Sequence, residues 1–138
     1  MTAGTDDYTT PDSFHLDPAP RSYVDTRSFR DAMASMAATA CVVTTQFGGQ
    51  RLGRTATSVF SLSVEPPAIL VSIDISSPMV DHIMKTRGFS FAVLAEGQDG
   101  IAGIFAGHGE PERRFDTGRW QAWRSGHPRL SGAVVAMD

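Results

Sequence analysis

Polar residues run without period over Met1–Arg21, where Thr, Asp and Pro dominate and no apolar stripe forms. Such a stretch cannot bury enough surface to offset its ordering entropy, so residues 1–22 are expected to form a flexible arm. At Asp25 the pattern changes. Phe29, Met33, Met36, Ala37 and Ala40 recur at helical spacing, and Asp25 or Thr26 is placed to cap the helix. From Cys41 the texture turns β-branched, and Cys41-Val42-Val43-Thr44-Thr45 reads as a strand. Gly48-Gly49 marks a hairpin turn, with the partner strand starting near Arg51. Pro66-Pro67 punctuates the chain before the strand-like run Ala68–Ile73. Ser76-Ser77-Pro78 has the form of a cap followed by proline at the first helical position, opening a short helix through Met84. Phe89–Leu94, Arg119–Trp123 and Gly132–Met137 read as further strands, and Gln98–Ala106 as a helix despite Gly100 and Gly103. The predicted class is therefore mainly β with α additions, a small barrel in one domain over residues 23–138.

Composition narrows the function. A chain of 138 residues suffices for one domain with its own core. The single Cys41 excludes an internal disulfide framework and any cysteine-based zinc cluster, and the four histidines show no metal-ligand spacing. A formal net charge of −3 argues against electrostatic nucleic-acid binding. The longest apolar runs fall well short of the roughly 20 residues that a membrane helix needs. With no basic, apolar leader at the N-terminus, a cytoplasmic location is expected.

The chemistry concentrates between Gly53 and Ser63. Arg54-Thr55-Ala56-Thr57-Ser58-Val59-Phe60-Ser61-Leu62-Ser63 sets five hydroxyls and a cation between two strands without clean inside–outside alternation. Hydroxyls and amides donate to phosphate and ring edges while Arg54 supplies charge, so this stretch suits a phosphorylated, acceptor-rich ligand. The competing explanation is a solvated Ser/Thr strand face. Ser76-Ser77 offers a second anion site at a helix N-terminus, against the simpler role of an ordinary serine cap. His15, His82, His108 and His127 are read as surface or packing residues, Cys41 as a buried apolar side chain, and Trp120 and Trp123 as core or interface residues. Gly97–Gly109 lacks the spacing of a dinucleotide-binding loop.

Taken in order, several segments resemble the flavin reductase family with the split-barrel FMN-binding fold, the small component of two-component flavin-dependent monooxygenases. They are Phe29-Arg30-Asp31-Ala32-Met33, Cys41–Thr45, Arg54–Pro67, Ser76-Ser77-Pro78-Met79, Phe91–Gln98, Phe105-Ala106, Arg114-Phe115 and Gly126–Leu130. The hydroxyl stretch ending in the double proline is the most specific of these.

The resemblance implies an FMN or FAD site at a homodimer interface. Residues Arg54, Thr55, Ala56, Thr57, Ser58 and Ser61 would line the isoalloxazine and ribityl chain, with Ser63 nearby. Ser76 and Ser77 would hold the phosphate, and Phe105 and Arg114 would lie near the flavin edge. It also implies hydride transfer from NADH or NADPH to the flavin and delivery of reduced flavin to a partner monooxygenase. No residue of the chain is singled out as catalytic, because the cofactor carries the redox chemistry. Ala92 departs from the family's frequent asparagine. The family usually continues for two or three strands beyond the Pro128-Arg129-Leu130 region and carries a nicotinamide-side histidine there. A chain ending at Asp138 is thus expected to keep a flavin site, reduce flavin poorly and tend to aggregate. The alternative from another class is a non-catalytic or degenerate flavin-binding protein. A pyridoxal-phosphate-type oxidase is less favoured because the basic phosphate cluster it needs is thin.

Overall fold

The computed structural model describes residues 24–138, so His15 and the expected arm over residues 1–22 lie outside the described residues. The described residues divide into two units, residues 24–37 and Ala38–Asp138. In the first, helix α1 spans Thr26–Ala34. Asp25 caps it as the sequence predicts, its carboxylate accepting from the amides of Arg27 and Ser28 at 3.0 Å and from the Ser28 hydroxyl at 2.6 Å. The Ser28 hydroxyl, more than the amides, holds the Asp25 carboxyl below its ordinary range.

The second unit is mainly β. Strands β1 (Cys41–Phe47) and β2 (Gln50–Ala56) form the predicted hairpin across Gly48-Gly49. Both turn glycines have positive φ, 58° and 82°, as a two-residue turn matched to strand twist requires. Next come β3 (Val59–Val64), β4 (Pro67–Val71), helix α2 (Pro78–Thr86), β5 (Ser90–Val93) and helix α3 (Asp99–Phe105). A 3-10 helix over Pro111–Asp116 leads to β6 (Trp120–Ala122), β7 (Pro128–Leu130) and β8 (Val135–Met137). The 3-10 turn and β7 escape the pattern reading, because each is short and built around a proline. β1, β2, β5 and β8 make one antiparallel sheet in the order β2-β1-β5-β8, while β3–β4 and β6–β7 form separate ribbons.

The sheet is covered on both faces, which is why Cys41–Thr45 is buried without alternation. On one face, Val42 and Ala92 pack with Ile101, Phe105 and Leu130, flanked by Phe115 and Trp120. On the other, Cys41, Val43 and Phe91 pack with Met79 of α2 and with Ile69 and Val71 of β4. Several buried polar groups are paired, although His82 Nδ1 has no partner. The Thr44 hydroxyl donates to the Pro128 carbonyl at 2.9 Å, and Ser90 Oγ accepts from the Trp123 indole at 2.8 Å. His127, only 4% exposed, accepts the Gln46 amide through Nδ1 at 3.2 Å, so it is a packing residue as expected.

β3–β4 is different. Its one side turns Val59, Ile69 and Val71 inward, while Phe60, Leu62, Val64 and Leu70 stay exposed. No helix among the described residues is long and apolar enough to cross a membrane.

Candidate functional site

A cleft of about 230 Å³ opens where β2 breaks into β3, lined by Val43, Arg54, Thr55, Ala56, Thr57, Ser58, Ser72, Ile73 and Asp74. Its position follows from the pairing. Val43 faces Arg54 and Cys41 faces Ala56 across the hairpin, so Arg54 and Ala56 share the sheet face that carries α2 and β4. The chain leaves strand geometry at Thr57-Ser58, and the segment following β4 (Ser72–Asp74) closes the opposite wall. The Ser72 amide donates to the Ser58 carbonyl at 3.1 Å and fixes the two walls together.

The cleft brings together Arg54, Thr55, Ala56, Thr57 and Ser58, as the hydroxyl-rich pattern anticipates. Their roles are not equal. Thr55 points the other way, and its hydroxyl donates to the Ala102 carbonyl of α3 at 2.6 Å, so what it can offer a ligand is backbone. The Ser58 hydroxyl donates to the Ser72 carbonyl at 3.3 Å, long for an O–H donor and therefore readily redirected. Thr57 is exposed at the strand break.

Several expected site residues lie elsewhere. Ser61 and Ser63 sit along β3, on either side of a register shift, and do not line the cleft. Phe105 is 1% exposed in the core against Phe115 and Trp120, because α3 turns it under β2. Arg114 is drawn to β2 as well, its Nη1 donating to the Gly53 carbonyl at 3.2 Å, while its Nε is enclosed without a partner. Each contacts the packed face opposite the cleft.

The helix-start anion site is also altered. Ser77 caps α2 by accepting the Met79 amide at 3.4 Å, with Pro78 at the first helical position as the sequence predicts. Ser76 spends both its donors on Asp74 Oδ1, the amide at 2.8 Å and the hydroxyl at 2.7 Å. The Ser77 and Val80 amides bond to the Asp74 and Ser77 carbonyls at 2.9 and 3.0 Å, and Pro78 has no N–H. The donor left at this turn is the Ser77 hydroxyl proton. Asp74 was not singled out by the sequence pattern, although Asp74-Ile75-Ser76 has the spacing of an Asx turn. The Ser76 amide, then its hydroxyl, holds the Asp74 carboxyl below its ordinary value, with a smaller contribution from the charge of Arg54.

A second, apolar groove of about 950 Å³ runs between β4, α2 and β5, lined among others by Ala68, Ile69, Met84, Phe89 and Phe91. It carries few donors. Phosphate and polyol recognition fits the smaller cleft. Burial pushes the Cys41 thiol up, which leaves it a poor nucleophile. Among the described residues, no group of histidine, cysteine and carboxylate could hold a metal.

The protein is thus mainly β, with a hydroxyl- and arginine-lined cleft where β2 breaks into β3. The flavin reductase like domain family model matches residues 33–138, and the chain belongs to that family. It is 35% identical over 119 residues to the FMN reductase (NADH) RutF of Pseudomonas syringae, covering 86% of this chain and 67% of that protein. It is 36% identical over 115 residues to the RutF of Ancylobacter novellus, covering 83% and 64%. The chain thus spans about two-thirds or less of these relatives' lengths. Among solved structures, BorF, the flavin reductase component of a bacterial two-component tryptophan halogenase, superposes with a TM-score of 0.72. The identity there is 31%, covering 81% of this chain and 71% of BorF. The NADH:FAD oxidoreductase SgcE6 of Streptomyces globisporus gives a TM-score of 0.71 at 30% identity, covering 86% and 72%.

Proposed function

We propose that the chain is an NADH-dependent flavin reductase domain that binds FMN in the Arg54–Asp74 cleft. The observation that carries this is the donor set of the cleft in a member of the flavin reductase family: one cation, two redirectable hydroxyls and strand-break backbone on one wall. That chemistry fits a flavin's carbonyl and ring-nitrogen acceptors, its polyol and its phosphate. A cleft of about 230 Å³ takes only part of such a ligand, whose sites usually run from roughly 300 Å³ upward, so the remainder stays exposed or is covered by another chain.

The bound flavin supplies the hydride-accepting ring. The protein's work is to bind and orient. Thr57 and Ser58 donate to ring or polyol oxygens, the backbone of Thr55 and Ala56 forms the floor, and Arg54 with the Ser77 hydroxyl meets the phosphate. No side chain is needed as a general base. The RutF relatives are named for FMN and NADH, which favours that pair over FAD and NADPH. The domain would supply reduced flavin to a separate flavin-dependent monooxygenase in the cytoplasm, much as BorF is the flavin reductase component of a two-component tryptophan halogenase.

We also infer a homodimer. Phe60, Leu62, Val64 and Leu70 expose apolar surface on the β3–β4 ribbon beside the site, and two-fold pairing is the commonest way to cover it.

Absorbance at 340 nm with FMN, FAD or neither tests the activity. Flavin-dependent NADH loss supports it. Flavin binding without NADH loss would leave a non-catalytic flavin-binding protein, and no binding of either flavin would overturn the proposal.

A further inference from the structure

Asp74 stands in the wall of the cleft. Asp74 lines the same cavity as Arg54, whose charge acts on its carboxylate. Yet the two do not close an ion pair, since the pairs within 4.0 Å among the described residues are Arg27–Asp31 and Arg113–Asp116. The cleft therefore holds a cation and an anion side by side, and the field that Arg54 offers an anionic group is partly cancelled. Asp74 also takes both donors of Ser76, and its carbonyl takes the Ser77 amide. Charge and donor occupancy point the same way. Three donors of the turn next to the cleft are spent on Asp74, which leaves the Ser77 hydroxyl to meet a phosphate.

Resting on the flavin reading above, we propose that Asp74 is a specificity-determining residue that weakens the hold on the phosphate and so brings phosphorylated and unphosphorylated flavins toward equal affinity. The remaining parts of the ligand are neutral and are met by Thr57, Ser58 and backbone, which Asp74 does not oppose. An ionised carboxylate suits this task at neutral pH, and the Ser76 hydrogen bonds favour the ionised form by lowering its pKa. A site built this way gains its affinity from ring and polyol and releases FMN easily, as a reductase that hands its flavin on requires.

The test is a pair of equilibrium titrations, riboflavin and FMN, followed by flavin fluorescence on the full chain and on Asp74→Asn. Asparagine keeps an oxygen acceptor for the Ser76 amide while removing the charge. FMN affinity relative to riboflavin should rise about three- to tenfold, and the gain should shrink in high salt. Asp74→Ser, which also keeps a short acceptor, should move the ratio in the same direction and substitutes if the asparagine variant does not fold. An unchanged ratio with both flavins bound overturns the role of Asp74 and leaves the flavin site standing. Failure of the unaltered chain to bind either flavin overturns both.

Discussion

Replacing Gly53 by alanine tests how the packed face supports the site. A Cβ built at Gly53 would lie 2.4 Å from Phe105 Cε1, 2.8 Å from Phe105 Cδ1 and 3.1 Å from Thr44 Cγ2. The first two distances are well inside van der Waals contact, and the ring has nowhere to go. Phe105 is 1% exposed and is held by Phe115 at 5.2 Å and Trp120 at 5.4 Å between ring centroids. Overpacking a well-filled core costs about 1–3 kcal/mol, and a rigid aromatic neighbour places this site at the upper end. The unfolded chain loses freedom on Gly→Ala, which returns about 0.4–1 kcal/mol. The net loss is then about 2 kcal/mol, or roughly 6–10 °C in Tm for a domain of this size. Gly100 of α3 is the control, since a Cβ there meets nothing within 4 Å. Gly100→Ala should stabilise by up to about 1 kcal/mol through helix propensity. Differential scanning calorimetry of the two variants decides the matter. A Gly53→Ala protein melting within about 2 °C of the unaltered chain would refute the close approach of β2 to Phe105. Arg54 follows Gly53 directly, so the same variant should also weaken flavin binding.

Three further outcomes are expected. Ser77→Asp retains a capping acceptor for α2 but adds a charge beside the phosphate, so FMN should weaken about three- to tenfold more than riboflavin in parallel titrations; equal losses would remove the phosphate from this turn. Cys41 should resist thiol reagents at pH 8 in the native state, because burial raises its pKa. A raised folded value means that the thiol's contribution to stability is intact below its ordinary range and lost as pH rises beyond it; rapid labelling without unfolding would contradict its burial. Sedimentation at micromolar concentration should give a dimer, and a species of 14.8 kDa alone would exclude one.

Much of the fold is legible in local pattern. The Asp25 and Ser77 caps, the Gly48-Gly49 turn and the β-branched run from Cys41 are decided by backbone chemistry within a few residues, and each appears where the sequence places it. What local pattern misses is direction. The five hydroxyls of the Thr55–Ser63 stretch look alike in sequence. Pairing of Val42 with Thr55 turns that threonine under α3, and the register shift carries Ser61 and Ser63 away from the cleft. Phe105 and Arg114 lie away from the cleft for the same reason, as tertiary packing behind β2 engages both. Asp74 was hidden because a lone aspartate in a loop reads as a solvated turn. Only the approach of the segment after β4 to the strand break makes it part of a wall.

The central claim is that the flavin is held at the strand break between β2 and β3. Equilibrium titration of FMN against the unaltered chain and the Thr57→Ala/Ser58→Ala double variant tests it most directly, with circular dichroism confirming that both are folded. Loss of the two donors should cost roughly 1–3 kcal/mol, about a 5- to 150-fold weaker Kd. Equal affinity in two folded proteins would place the flavin somewhere other than this cleft.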